Sequence, residues 1–143
     1  MLYGSQQGMD LVAKLSIDNG SAVAAQAPTY LAVLEVLELF RTNLRPFDHG
    51  VKPAAKAVQN LRLRYAIPTS QNASGYCYNS SERQELATFC AANEIGMFED
   101  DPYRELAFDS CCKVPVWSSF QSPKICLANA RTAGLLSKEA LLT

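Results

Sequence analysis

An α/β fold is predicted, three layers deep, with helices on both faces of a mostly parallel sheet. Three observations predict it. Strand-like and helix-like apolar periods alternate along the chain, and the connections between them are short. Polar, loop-forming stretches also follow the strand-like segments, where open parallel sheets bind their ligands.

Each element can be justified in order. "SQQGMDLVAKLSI" sets Met9, Val12 and Leu15, with Leu11 beside them, at helical spacing, and Asp18 to Gly20 stops the helix. "SAVAAQAP" is a short apolar strand ending at Pro28. "TYLAVLEVLELF" is apolar on almost every side, so it is expected to be a buried helix. "TNLRPF" reads as a weak strand, "DHGVKP" as a turn, and "AAKAVQNL" as a short helix. "LRYAIP" is a strand that runs into the polar loop "TSQNASG". Ser81 with Gln84 three residues on matches a capping box, and the helix it opens continues through Leu86, Phe89 and Cys90 to Asn93. "IGMFE" and "VPVWSSF" read as strands, "TAGLL" as one more, and "SKEALLT" as the start of a helix. The loops "TSQNASG", "DDPY" and "FQSPK" would then share one edge of the sheet.

The bulk properties narrow the class. At 143 residues there is room for one domain with a real core, and 48% hydrophobic with 19% charged residues is a folded, not a disordered, composition. A net charge of -1 gives no footprint for nucleic acid, and no apolar run approaches a membrane span. Nothing at the N-terminus reads as a signal peptide, so the expected location is cytoplasmic, and the sequons at Asn19, Asn72 and Asn79 are read as chance matches. Five cysteines without a Cys-x-x-Cys pair argue against a disulfide framework or a structural zinc site, and the single His49 excludes a His-rich metal cluster.

Four constellations could carry chemistry. The turn at Gly4 and Ser5, followed by Gln6, opens a helix and offers backbone N–H groups and a hydroxyl to a phosphate; a plain N-cap is the alternative. Asn72 sits in the loop "QNASG", where a local Asx-turn is its commoner use. Asp100 and Tyr103 follow a strand as D-x-x-Y, in the acidic stretch "FEDDPYRELAF". A partly dry carboxylate there could pair with a protonated ring nitrogen, whereas Glu99, Asp101 and Glu105 are read as framing or solvated. Lys124 stands seven residues before Arg131, a desolvated amine being suited to Schiff-base chemistry and a guanidinium to phosphate. A surface lysine is the alternative.

The order of these signals resembles the large domain of pyridoxal-phosphate-dependent aminotransferases of fold type I. The likeness is greatest to the branch holding aminoadipate- and kynurenine-type enzymes and the aminotransferase-like domains of MocR-type regulators. It is carried by "GSQQGMDLVAKL", "APTYLAVLEVL", the long stretch from Tyr65 to Phe108, and, more loosely, "SSFQSPKICLANARTAG". The resemblance implies a fold and a set of roles. Ser5 and Gln6 would bind the cofactor phosphate, with Ser119 or Ser122 adding a contact and Arg131 completing that site. Tyr30 would stack on the pyridine ring, and Asn72 and Tyr103 would reach the ring's phenolic oxygen. Asp100 would pair with the ring nitrogen, and Lys124 would carry the cofactor as a Schiff base and move the proton. The implied reaction exchanges an amino group between an amino acid and a 2-oxo acid, in a homodimer, with no nucleic acid contacted by this segment and no membrane.

The chain also departs from the pattern. The loop N-P-x-G reads Asn72-Ala73-Ser74-Gly75, and Ser119-Phe120-Gln121-Ser122-Pro123-Lys124 holds two residues more than Ser-Phe-Ser-Lys. From its length, the whole of 1–143 is expected to be a partial large domain without the small C-terminal domain that completes the substrate site. The expected function is therefore aminotransferase by family resemblance, in a truncated form expected to be inactive on its own. The alternatives are a ligand-sensing domain of a MocR-type regulator and a non-catalytic remnant.

Overall fold

The computed structural model describes residues 5–47, 58–107, 111–116 and 126–128. Helix α1 (Ser5–Ser16) leads to strand β1 (Ala22–Gln26), helix α2 (Leu31–Leu39) and strand β2 (Asn43–Phe47). Strand β3 (Leu61–Ala66), helix α3 (Ser80–Ala92), strand β4 (Gly96–Asp100), a 3-10 turn (Arg104–Leu106) and strand β5 (Cys126–Ala128) follow. The five strands lie in the order β2-β1-β3-β4-β5, and every neighbouring pair is parallel. The predicted α/β class is the observed one.

Strand alternation sorts the core into two layers. Val23 and Ala25 of β1, Leu63 and Tyr65 of β3, and Phe98 of β4 pack with Met9, Val12 and Ala13 of α1 and Val33, Val36 and Leu37 of α2. Ala22 and Ala24, Leu61, Ala66 and Met97 turn the other way, onto Leu86, Ala87 and Cys90 of α3. An irregularity in β3 reconciles the two sets: Leu61 pairs with Ala22 but Leu63 with Val23, so Arg62 is the extra residue and sides exchange across it.

Several local expectations need correcting. Leu15 is exposed, and the buried face of α1 is completed by Ala13, with Ile17 just beyond the helix. Helix α2 is not buried all round: Leu31 and Leu39 are exposed, because the helix covers only one face of the sheet. The capping box of α3 is built from Asn79 and Glu82, not Ser81 and Gln84. Asn79 Oδ1 accepts from the Glu82 N–H at 2.9 Å, and Glu82 Oε2 accepts from the Asn79 N–H at 2.7 Å. Replacing Asn79 with alanine is expected to cost about 1 kcal/mol, read as a lower urea midpoint with an unchanged m-value. The strand predicted over "VPVWSSF" is not seen in its described part, 114–116, and the rest of it lies outside the described residues; the next described strand after β4 is β5. Half of "AAKAVQNL" lies outside the described residues, and its described half, 58–61, is a bend, a turn and the first residue of β3 where a short helix was expected; "TAGLL" and "SKEALLT" lie wholly outside.

The chain leaves β1 toward β2 on one side and returns to place β3 on the other. The strand order therefore reverses between β1 and β3, and their carboxyl ends open a crevice there. At the β2 edge, the Asn43 N–H donates to Ser21 O and Phe47 O accepts from the Ala27 N–H, so residues 43, 45 and 47 face β1. Residues 44 and 46 turn their backbone groups outward. No described helix is long and apolar enough to cross a membrane.

Candidate functional site

Three strand ends meet at the carboxyl edge. Beyond β1 the chain passes Pro28 to Tyr30, which caps α2 without a hydrogen bond from its side chain, so the phenol is free of capping duty. Beyond β3 comes the loop carrying Asn72, and beyond β4 the segment Asp100 to Tyr103. Together they enclose a cavity of about 150 Å3 lined by Tyr30, Ile67, Asn72, Asp100, Pro102 and Tyr103. Four residues singled out from sequence, Tyr30, Asn72, Asp100 and Tyr103, are thus brought together. The amide of Asn72 lies 3.4 Å from the Tyr103 hydroxyl, so their polar ends converge on one side of the cavity. A larger cavity of about 590 Å3 sits at the opposite edge, near the start of β1 and β3, away from these groups.

Asp100 is the electrostatic centre. It is 2% exposed, and burial pushes its carboxyl from an ordinary 3.8 up to about 6, against a lowering hydrogen bond from Tyr65 and with a small raising effect from Asp101. The Tyr65 hydroxyl donates to Oδ2 at 2.9 Å. Among the described residues, Oδ1 is buried with no hydrogen-bond partner. A buried carboxylate oxygen left open in this way costs stability unless a donor arrives, and the cavity is where one would.

Of the framing and solvated roles expected for the acidic neighbours, Glu99 and Asp101 take the framing one. Glu99 and Asp101 are both buried, and each pairs with Arg104, at 3.4 and 2.7 Å; Glu99 Oε1 also accepts from the Val116 N–H at 3.1 Å. Only Glu105 is exposed. Alternation explains the division: Glu99 turns toward the α3 face, where it anchors the 111–116 segment, and Asp100 toward the face of Tyr65 and Phe98.

The Asn72 loop is held by residues that sequence reasoning missed. Gln71 Oε1 accepts from the N–H groups of Ala73 and Ser74 at 3.1 and 2.8 Å, while Nε2 donates to Pro28 O at 2.9 Å, tying the loop to the exit of β1. Gln71 thereby stiffens a turn that has no proline, and Gly75 supplies its left-handed residue at φ +72°. Arg83, 1% exposed, donates to Tyr78 O, Pro68 O and Thr69 Oγ1 at both stems of the loop, and to Val114 O. A disulfide joins Cys77 to Cys111, which corrects the expectation drawn from the odd cysteine count. Gln71 stands in a polar loop and Arg83 among polar, largely exposed residues, so no sequence signal marks either as a brace.

The phosphate end is described in part. Helix α1 begins at Ser5, and only the residues 17–21 separate its end from the start of β1. The helix therefore runs against the strands, and its N-terminus lies toward the carboxyl edge, where free N–H groups suit an anion. Gln6 is exposed there. Gly4, Ser119, Ser122, Lys124 and Arg131 lie outside the described residues. Strand β5 opens at Cys126, two residues after Lys124, and pairs Cys126 with Phe98 and Ala128 with Asp100.

Comparisons with known proteins agree with this geometry. No protein-family profile matches the chain. It is 32% identical over 112 residues to the 2-aminoadipate transaminase of Thermus thermophilus, covering 73% of this chain and 28% of that one. It is 28% identical over 117 residues to the aromatic-amino-acid aminotransferase 1 of Thermococcus litoralis, covering 73% and 28%. An uncharacterized HTH-type transcriptional regulator of Bacillus subtilis, YisV, is 26% identical over 116 residues, covering 76% and 24%. The chain thus spans about a quarter of each of these relatives' length. Among solved structures, LysN, the α-aminoadipate aminotransferase of Thermus thermophilus complexed with N-(5'-phosphopyridoxyl)-L-leucine, superimposes with a TM-score of 0.70 at 26% identity, covering 88% of this chain and 35% of that one. The kynurenine aminotransferase of Pyrococcus horikoshii, in complex with PMP, gives a TM-score of 0.78 at 23% identity, covering 89% and 34%. In sequence and in fold, this chain matches part of the pyridoxal-phosphate-dependent aminotransferases of fold type I.

Proposed function

We propose that residues 1–143 form the cofactor-binding part of an aminotransferase large domain, which holds pyridoxal 5'-phosphate for amino-group exchange between an amino acid and a 2-oxo acid. The observation that carries this reading is Asp100 Oδ1, buried and without a partner among the described residues, at a cavity bordered by a phenol ring and an Asn–Tyr pair. Asp100 would hold the ring nitrogen's proton, and Tyr30 would cover the ring's face. Asn72 and Tyr103 would hold the phenolic oxygen. Ser5 and Gln6 at the start of α1 would take the phosphate, with Ser119 or Ser122 and Arg131 beside them. When bound, the cofactor supplies an electron sink for the substrate's α-carbon.

The chain's own residues would divide the work. Asp100 keeps a positive charge fixed on the ring because a dry carboxylate has no competing water. Lys124 Nζ would attach the cofactor and then act as the base that moves the proton. The reading carries with it a homodimer in the full-length protein, a cytoplasmic location, and no nucleic-acid contact by this segment.

A second reading is favoured by one observation, the likeness to HTH-type regulators. In that reading the same cavity senses a cofactor or its amine adduct without completing a transfer.

One titration separates them. Purified protein mixed with pyridoxal 5'-phosphate is expected to develop a visible absorbance band that Lys124→Ala removes, and added amino acid is expected to bleach it. A band that amino acids leave unchanged supports the sensor. No band at all overturns the cofactor assignment.

A further inference from the structure

We propose that Tyr65 is the positioning residue of this site: its hydroxyl occupies Asp100 Oδ2 and so dedicates Oδ1 to whatever the cavity binds. The inference rests on the reading above for the identity of that ligand, a protonated pyridine nitrogen, but its geometry stands on its own.

Tyr65 and Phe98 are direct partners in the β3–β4 ladder, and their rings stack at 5.7 Å with 19° between the planes. Asp100 lies two residues beyond Phe98, on the same face of β4. A tyrosine leaning along the strand from position 65 therefore reaches Asp100, and it does so at 2.9 Å. Tyr65 is 1% exposed and does not line the cavity, so it acts through the carboxylate and not on the ligand. The two oxygens of Asp100 are thereby made inequivalent: one takes a donor from the core, the other is buried and open.

The division has a chemical consequence. Asp100 must be ionised to hold a pyridinium proton, yet burial opposes ionisation. The Tyr65 hydrogen bond works against that opposition. Among the described residues, the other titratable groups around the pair are Asp101 in sequence and the phenols of Tyr30 and Tyr103, none of which adds a positive charge. Asp10 and Lys14 of α1 pair with each other at the helix surface. Burial and the Asp100 charge together push the Tyr65 phenol far up, so it remains a donor throughout the working range.

The test uses Tyr65→Phe, which keeps the stacked ring and removes only the hydroxyl. In the cofactor-free protein, the Asp100 carboxyl, followed by carbon-13 NMR, is expected to titrate near 6 in the wild type and roughly one pH unit higher in Tyr65→Phe. A second arm measures pyridoxal 5'-phosphate affinity at pH 7. Tyr65→Phe is expected to weaken it roughly tenfold, and that loss is expected to vanish in an Asp100→Asn background, where no ionised carboxylate remains to be positioned. A midpoint that stays put or falls overturns the proposal, as does a loss of affinity that persists in the Asp100→Asn background, because either outcome makes Tyr65 a packing residue. A wild type that titrates as stated but binds no cofactor overturns the proposed function instead, since the carboxyl titration involves no ligand.

Discussion

Asp100→Asn is expected to stabilise the cofactor-free protein at pH 8 while weakening its hold on pyridoxal 5'-phosphate. The two effects have one origin. The folded protein binds the Asp100 proton more tightly than the unfolded chain does, with a carboxyl at about 6 instead of 3.8. Stability from this group is thus present in full below the lower value and is lost as pH rises through the higher one. By pH 8 the loss amounts to about 2–3 kcal/mol, and an amide, which never ionises, avoids it. Asparagine still accepts from Tyr65, so the core side of the site is preserved. It offers no charge to a pyridinium, however, and affinity is expected to fall roughly tenfold to a hundredfold. Urea midpoints at pH 3.5 and pH 8, with a cofactor titration at pH 8, check both halves. Variant and wild type should converge in acid; a variant less stable than wild type at pH 8 would contradict the account of Asp100.

Arg83→Met is expected to be the most damaging single change to the fold among those considered. The guanidinium makes four hydrogen bonds, at 3.0, 2.9, 2.8 and 3.0 Å, to Tyr78 O, Val114 O, Pro68 O and Thr69 Oγ1. Methionine would fill much of the volume but leave those acceptors without their donors, at a cost of about 3–5 kcal/mol. Arg83→Lys should recover little, since one ammonium cannot span a planar fork that joins three backbone segments. Cofactor affinity should fall with stability, because two of those segments are the stems of the Asn72 loop. A shift in urea midpoint worth less than about 1 kcal/mol would show that the loop is held by Gln71 and the disulfide instead.

Much of this was legible in the sequence, for identifiable reasons. Strands β1 and β4 announce themselves because parallel strands buried on both faces carry short apolar runs, and β3 does so through Tyr65 to Pro68 despite Arg62 and Arg64. Asp100 and Tyr103 stand immediately after one of them, where the fold must present a ligand. The braces were not legible. Gln71 and Arg83 act through backbone carbonyls remote in sequence, and no spacing rule links position 83 to residues 68 and 114. Leu31 and Leu39 misled because their apolar character outweighed Glu35 and Glu38, which mark the same side of the helix as the one facing solvent. For Glu99 and Asp101 the sequence left framing and solvated roles side by side, because clustered charge looks wet until Arg104 is folded onto it.

The β2 edge bears on how such a sheet behaves in a crowded solution. Among the described residues β2 pairs on one side only, and its outward backbone positions are Leu44 and Pro46. Proline has no N–H, so a foreign strand arriving there finds a single donor, at Leu44. Arg45 beside it adds a charge. The free margin of this sheet is therefore a poor template for amyloid-like growth, and Pro46→Val, by restoring the missing donor, is the substitution that would remove that protection.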